Sequence, residues 1–231
     1  MKIALIGTGK MGKLIAQLAR EQGDEIFVEI DKTSAELSVQ ELAEKLRGVD
    51  VAIDFSIAEA VRKNVEACIL AEIPLIEGTT GWNAELGNIK NLVIENNGAL
   101  CYGANFSIGV NLFYRIADFA SELFARFEDY EAFIEEQHHS RKKDAPSGTA
   151  LKLKAIVAEH IKREFSVAST RAGNIPGTHR VGFDGTADQI LLEHAARSRE
   201  GFASGALLAA KWIVGKKGVF EFTDVMDQIL S

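Results

Sequence analysis

The sequence predicts an α/β protein, a parallel sheet wound with helices, joined to a smaller α+β unit built on a mixed sheet. Three observations predict it. From residue 2 to residue 102 short apolar runs alternate with helical periods, the pattern of strands linked by right-handed crossovers. The turn between the first run and the first helix is rich in glycine, Gly7-Thr8-Gly9-Lys10-Met11-Gly12. Between residues 166 and 194 strand-like runs follow one another with no long helix between them, which suits antiparallel or mixed pairing.

Residues 2–6 (KIALI) are apolar without polar alternation, as in a strand covered on both faces. A helix over 10–22 follows, with Leu14, Ile15 and Leu18 on one face, then a strand over 25–30 ending at Asp31. The alternation continues with a helix over 38–47, a strand over 49–55, a helix over 58–71, a strand over 73–77, a helix near 84–96 and a strand over 99–102. Residues 107–127 form a longer amphipathic helix, with Ile108, Leu112, Ile116, Phe119, Leu123 and Phe127 stacked along its apolar stripe. A strand over 130–137 leads into the most polar and basic stretch of the chain, and a helix covers 149–163. Strand-like runs at 166–170, 179–183 and 186–194 precede a helix over 203–214, a strand over 218–222 and a terminal helix over 223–230. The expected domains are 1–106, completed by 203–231, and an inserted unit over 107–202.

Composition limits the function classes. The chain has 231 residues, 47% of them hydrophobic and 26% charged, with only 3 proline residues, which excludes a disordered or collagen-like chain. A net charge of −7 argues against bulk binding to nucleic acid or an anionic membrane, since both need a cationic surface. Two cysteines, Cys68 and Cys101, make neither a disulfide framework nor a four-thiolate zinc site. They are expected as reduced packing residues of a cytoplasmic protein. The apolar run at the start is too short for a signal peptide, and no stretch approaches a membrane span.

Gly7, Gly9 and Gly12 spell G-x-G-x-x-G between a buried-type strand and a helix. The first permits the tight turn, the second lets a pyrophosphate approach the backbone, and the third lets helix and strand pack closely. Thr8, Lys10 and Met11 complete the loop, whose helix N-terminus offers N–H groups to phosphates. Asp31, 19 positions after Gly12 at the end of the second strand, is placed to hydrogen-bond ribose hydroxyls. Lys32 beside it complicates the choice between cofactors: an acid repels a 2′-phosphate and a lysine neutralises one. The expectation is a Rossmann-type domain binding NADH or NADPH, with NADH favoured. Gly78-Thr79-Thr80-Gly81 and Gly103-Ala104-Asn105-Phe106 follow the fourth and fifth strands. Each could be an ordinary turn; together they are expected to line the nicotinamide side of one crevice.

The stretch from Glu135 to Ala150 carries the sharper signal. Five of the six residues from His138 to Lys143 can be positively charged. On charge alone this would be a solvated loop. Paired histidines, however, titrate near neutrality and can exchange protons at working pH. Ser147-Gly148-Thr149 opens the next helix and presents hydroxyls and N–H groups to an anion. Adjacent residues of an extended strand point to opposite faces, so His138 and His139 are not expected to share a metal ion. His160, His179 and His194 are too scattered in sequence to be paired with them; no metal is expected.

The stretch from Glu136 to Ala150 resembles the signature of the dihydrodipicolinate reductase family, E-x-H-H-x-x-K-x-D-A-P-S-G-T-A, matched here without a gap. The N-terminal glycine turn, Asp54-Phe55-Ser56, Gly78 to Gly81, Asn105 to Asn111, Arg171-Ala172-Gly173, Gly177-Thr178-His179 and the segment from Ala195 to Trp212 are also similar to the family. The chain is shorter than many members between Asp31 and Val49, at the adenosine end of the cofactor. The resemblance implies reduction of 4-hydroxy-tetrahydrodipicolinate to tetrahydrodipicolinate with loss of water, in lysine biosynthesis through diaminopimelate, by a homotetramer joined through the second unit. His138 is then the acid/base and Lys142 its assistant, while Lys142 with His139 holds one substrate carboxylate and Ser147, Gly148 and Thr149 the other. Two rivals are a different amino-acid-linked dehydrogenase, which in its acyl-forming version needs a catalytic cysteine, and a nucleotide-sensing module without chemistry.

Overall fold

In the computed structural model the chain divides into two compact units, Met1–Ser107 with Arg199–Ser231, and Ile108–Ser198. The structure describes residues 1–31 and 36–230. In the first unit the strands are β1 (Lys2–Ile6), β2 (Glu25–Ile30), β3 (Val51–Asp54), β4 (Leu75–Glu77), β5 (Ala99–Tyr102) and β10 (Gly218–Glu221), and the helices α1 (Lys10–Glu21), α2 (Val39–Leu46), α3 (Val61–Leu70), α4 (Leu86–Glu95), α7 (Glu200–Ile213) and α8 (Phe222–Leu230). The six strands form one all-parallel sheet in the order β10-β5-β4-β3-β1-β2.

Strand order reverses beside β1, so the crevice between the ends of β1 and β3 is the switch point at which such sheets bind ligands. The lack of polar alternation in β1 has the predicted cause: Ile3, Ala4, Leu5 and Ile6 are all buried. Ala4, Ile6, Ala52, Leu75 and Leu100 pack into one cluster with Leu42, Leu46, Val65, Cys68 and Val93 of α2, α3 and α4. Ile3, Leu5, Ile53 and Ile76 are just as buried and, by strand alternation, face the other way. α1 and α7 pack against each other, and α7 against β3, β4 and β5.

The second unit holds α5 (Ile108–Phe124), β6 (Glu131–His138), α6 (Gly148–His160), β7 (Ser166–Arg171), β8 (Thr178–Asp184) and β9 (Gln189–Ala195). The sheet order is β7-β6-β8-β9, with β7 parallel to β6 and the other pairs antiparallel, the expected mixed sheet. In β6 burial alternates: Ala132, Ile134, Glu136 and His138 are buried, and Phe133, Glu135 and Gln137 are half covered. Ala132 and Ile134 pack with Val110, Phe113, Ala117, Leu153 and Val157 of α5 and α6 and with Val181 and Phe183 of β8.

One expectation on α5 is corrected. Its predicted stripe is not its core face: Leu112, Ile116, Phe119, Leu123 and Phe127 are exposed, Phe119 by 61%. The buried face is Val110, Asn111, Phe113, Tyr114, Ala117 and Ser121. Both faces carry apolar side chains at helical spacing, so the period alone could not choose between them. The helix also stops at Phe124, short of the predicted 127.

Candidate active site

In the first unit each glycine of the N-terminal turn meets a distinct constraint. Gly7 has φ +93°, and a Cβ there would collide with the Phe55 carbonyl. A Cβ on Gly12 would collide with the Gly7 carbonyl, which is the close packing of helix on strand that the motif needs. A Cβ on Gly9 would meet nothing within 4 Å. Gly9 therefore leaves space toward which only a ligand would need to approach. It is also the N-cap of α1, with no side chain capping the helix, so the first-turn N–H groups remain available to an anion.

Two adjoining cavities open here. One of about 700 Å³ is lined by Gly7, Thr8, Gly9, Asp31, Ser56 and Lys63 among others. The other, about 470 Å³, is lined by Gly9, Lys10, Met11, Gly78, Thr79, Thr80 and Arg199, with Phe55, Ser56 and Ile57 shared. Most of the residues expected to hold a cofactor are thus brought together. Gly12 serves packing beneath the turn, and Lys32 lies outside the described residues. Gly103, Ala104, Asn105 and Phe106 line neither cavity. The Phe106 ring is a core group, 4.6 Å from that of Phe222 and 6.1 Å from that of Phe55, because the segment after β5 turns inward to meet α8. Sequence reasoning missed Lys63 and Arg199; Lys63 follows Arg62 in α3 and Arg199 precedes the first turn of α7, and each is brought to the cavity only by the fold.

The walls of the smaller cavity are cross-tied. Ser56 N–H donates to Asp54 Oδ1 at 2.8 Å and to Thr79 Oγ1 at 3.0 Å. Asn64 Nδ2 donates to Asp54 Oδ2 at 2.6 Å, and Thr79 N–H donates to Glu77 Oε1 at 2.8 Å. Trp82 Nε1 donates to the Thr79 carbonyl at 2.7 Å.

In the second unit the predicted basic loop leaves the buried end of β6. His138 is 8% exposed and Glu136 1%. His138 Nδ1 pairs with Glu136 Oε2. Glu136 Oε1 accepts from Arg171 Nη2 at 2.6 Å and from the Ser147 N–H at 3.3 Å. Burial pushes the Glu136 carboxyl up, but hydrogen bonds from Arg171, Ser169 and His138 outweigh it and hold the group at about 2. The His138 imidazole is lowered by burial, an effect that Glu136 only partly offsets. His179 stands beside it, ring centroids 5.1 Å apart, and its Nε2 meets Ser147 Oγ at 3.2 Å. Burial, with the neighbouring His138, lowers His179 to about 4.

His179 is the residue that spacing failed to place. The antiparallel register sets it directly opposite Glu136, and no local signal reports that register. Glu136, His138 and His179 offer ligand atoms within 4.8 Å of one another. Both Glu136 oxygens are already engaged, one by the Arg171 cation, so the cluster reads as a hydrogen-bonded acid/base group.

Lys142 Nζ lies 2.9 Å from Asp144 Oδ1. Ser147 caps α6 through its hydroxyl, Gly148 is exposed with open space around it, and the Thr149 hydroxyl pairs with Tyr114. His139 is half-buried, with Nδ1 buried and unpartnered. Cys68 and Cys101 are free and buried. Burial raises both thiols, Cys101 to about 12, so neither is poised as the nucleophile that an acyl-forming dehydrogenase requires. Among the described residues no helix is long and apolar enough to cross a membrane.

Comparison with known proteins gives the family. Residues 1–106 match the model of the dihydrodipicolinate reductase N-terminus and residues 109–226 that of its C-terminus. The chain is 34% identical to the 4-hydroxy-tetrahydrodipicolinate reductase of Christiangramia forsetii, covering 100% of both chains. It is 34% identical to that of Methanoregula boonei, covering 97% of both. Among solved structures, a dipicolinate-bound dihydrodipicolinate reductase from Paenisporosarcina sp. TG-14 shares the fold, with a TM-score of 0.78 at 21% identity over 97% of this chain and 99% of that one. With both halves matched and relatives aligned end to end, the chain belongs to the dihydrodipicolinate reductase family.

Proposed function

We infer that the two units divide the family's reaction between them, the first holding NAD(P)H and the second the dicarboxylate and the proton. The reaction is the NAD(P)H-dependent reduction of 4-hydroxy-tetrahydrodipicolinate to tetrahydrodipicolinate with loss of water, in lysine biosynthesis through diaminopimelate. The observation that carries the division is the buried Glu136–His138 pair at the mouth of the basic loop. The ionised Glu136 accepts from Nδ1–H of His138, which fixes the ring and leaves Nε2 as the working nitrogen. His138 is neutral in the free enzyme, and a bound dianion draws a proton onto it by favouring the charged form. That proton is delivered as hydride arrives, with Lys142 as donor or charge partner. Lys142 with His139 takes one substrate carboxylate; Ser147, Gly148 and Thr149 at the start of α6 take the other. The cofactor supplies the hydride, and the protein's part is alignment and exclusion of water.

Gly9, Lys10 and Met11 would hold the pyrophosphate of the cofactor and Asp31 its adenosine ribose. Asp31 supports NADH over NADPH, because a carboxylate beside the ribose repels a 2′-phosphate. Asp31→Ala is expected to raise KM for NADH more than KM for NADPH; equal effects would remove Asp31 from the ribose site. We place the enzyme in the cytoplasm on its free cysteines. The homotetramer would assemble through the sheet face not covered by α5 and α6, where Arg180 links Glu193 at 2.5 Å and Glu135 at 3.3 Å and Leu191 is exposed. Sedimentation of wild type and Leu191→Lys tests that face.

The catalytic assignment is tested by His138→Gln and Lys142→Ala in an assay following NADH absorbance with the synthase product as substrate. Each is expected to lower kcat by roughly 10²–10³-fold, the scale of one general acid, with NADH affinity unchanged. Wild-type turnover in both variants would overturn the assignment.

A further inference from the structure

Beneath the smaller cavity lies a pair of buried carboxyl groups that the reaction does not use. Asp54 ends β3 and Glu77 ends β4; the two are direct partners in the parallel register, so their side chains share one face of the sheet. Both are buried, at 0% and 1% exposure. Asp54 is fully served by donors, Ser56 N–H on Oδ1 and Asn64 Nδ2 on Oδ2. Glu77 is not: Oε1 accepts from Thr79 N–H, while Oε2 is buried and meets no donor. Its polar neighbour is the Asp54 carboxyl, itself an acceptor. Two carboxylates opposed in a dry site repel, and the contact becomes a hydrogen bond only when one of them carries a proton. The third titratable group of the pocket, the Cys68 thiol of α3, is held neutral by burial and by both acids. Among the described residues no cation closes the cluster, and burial raises both acids, Glu77 with the Asp54 charge added.

We propose that Glu77 is a positioning residue for the cofactor cavity: it carries the proton of a carboxyl–carboxylate pair with Asp54 and so holds the Gly78–Thr80 turn against the Phe55–Ile57 turn. The hydrogen bonds on the page give the route. Glu77 fixes the Thr79 N–H, Asp54 fixes the Ser56 N–H, and Ser56 N–H reaches Thr79 Oγ1. Each acid thus orients one wall of the 470 Å³ cavity, and the shared proton joins the walls. The inference rests on the proposed reading that this cavity receives the dinucleotide.

Glu77→Leu keeps volume and loses the tie; Glu77→Gln can still accept from Thr79 and donate to Asp54. Expected for Glu77→Leu is a rise of about tenfold in KM for NADH with kcat changed less than about threefold, the mark of lost binding rather than lost chemistry. Glu77→Gln is expected to rescue KM to within about twofold of wild type. The infrared spectrum of the wild-type protein should also carry a protonated-carboxyl band that Glu77→Gln lacks, a measurement independent of how well Glu77→Leu folds. Unchanged KM in Glu77→Leu, equal impairment in both variants, or the absence of that band overturns the inference. Gly9→Ala separates it from the reading beneath it, because Ala fits the free protein there and intrudes only on a bound pyrophosphate. If Gly9→Ala leaves KM for NADH unchanged, the cavity reading fails and Glu77 with it. If Gly9→Ala weakens NADH and Glu77→Leu does not, the inference on Glu77 alone fails.

Discussion

Both units bury a carboxyl group near the end of a strand next to a second titratable group, and the two carboxyls are driven in opposite directions. In the second unit Glu136 has Arg171 on one oxygen and His138 on the other and is held at about 2. In the first unit Glu77 faces Asp54 and the N–H and hydroxyl of Thr79, with no cation among the described residues, and is pushed well above its ordinary value by burial and by the Asp54 charge. Neither side chain reaches solvent, but Glu77 is packed more deeply, so desolvation raises it more. The cation within hydrogen-bond reach of Glu136 widens the difference. In the proposed division of labour, the unit assigned the proton keeps an ionised acid against its histidine, and the unit assigned the nucleotide keeps a neutral one under its turns.

Removing the cation should break the contrast with the largest effect. Arg171→Leu takes the cation from Glu136 in a closed site, and breaking a buried pair costs about 3–5 kcal/mol. A large fall in the stability of the second unit is expected, with turnover reduced because Glu136 is no longer anchored against His138. Arg171→Leu combined with Glu136→Gln should recover most of the stability without recovering turnover. Chemical denaturation beside a steady-state assay distinguishes these outcomes, and a single Arg171→Leu variant as stable as wild type would show that the guanidinium is dispensable.

Acid sharpens the comparison at intermediate size. Glu136, at about 2 in the fold against 4.5 when free, favours folding above pH 4.5 and loses that contribution as pH falls toward 2. His179, at about 4 against 6.5, favours folding above 6.5 and loses its contribution between 6.5 and 4. Asp54 and Glu77 are both raised, so they favour folding at low pH and weaken it as pH rises above their free values of 3.8 and 4.5. Lowering pH from about 7 to about 4 should therefore reduce amide protection in β6 and β8 while leaving β3 and β4 no worse. Hydrogen exchange, corrected for intrinsic rates, reads both units in one experiment. Parallel loss of protection in the two would end the distinction.

These clusters also mark where sequence reading stops. The glycine turn was legible because each glycine answers a local demand: Gly7 a positive φ, Gly12 a carbonyl in its path, Gly9 an empty approach. The strands of the first unit were legible because burial on both faces leaves an unbroken apolar run. The basic loop was legible through its composition. What brings His179 to Glu136, and Glu77 to Asp54, is strand register, which is decided by packing across the sheet and leaves no local pattern. The same holds for Arg199, delivered to the cavity from far along the chain. On α5 the failure had another source, since a helix apolar on two faces satisfies the periodicity twice, and only the sheet beneath selects Phe113 and Ala117 over Ile116 and Phe119.

The smallest effect tests the neutral acid alone. Glu77 is raised well above 4.5 in the fold, so between 4.5 and that higher value the folded state binds more proton than the unfolded one and stability falls with rising pH. Glutamine keeps the geometry, accepting from Thr79 and donating to Asp54, but has no proton to lose. Glu77→Gln should therefore match wild type in thermal melts near pH 5 and exceed it by roughly 0.5–2 kcal/mol in alkali, the usual range for a single stabilising change. The diagnostic is the widening of the gap with pH, because a simple packing gain would be the same at every pH. If the two melting curves instead stay parallel, Glu77 is ionised in the fold as Glu136 is, and a nearby cation is not what separates the two units.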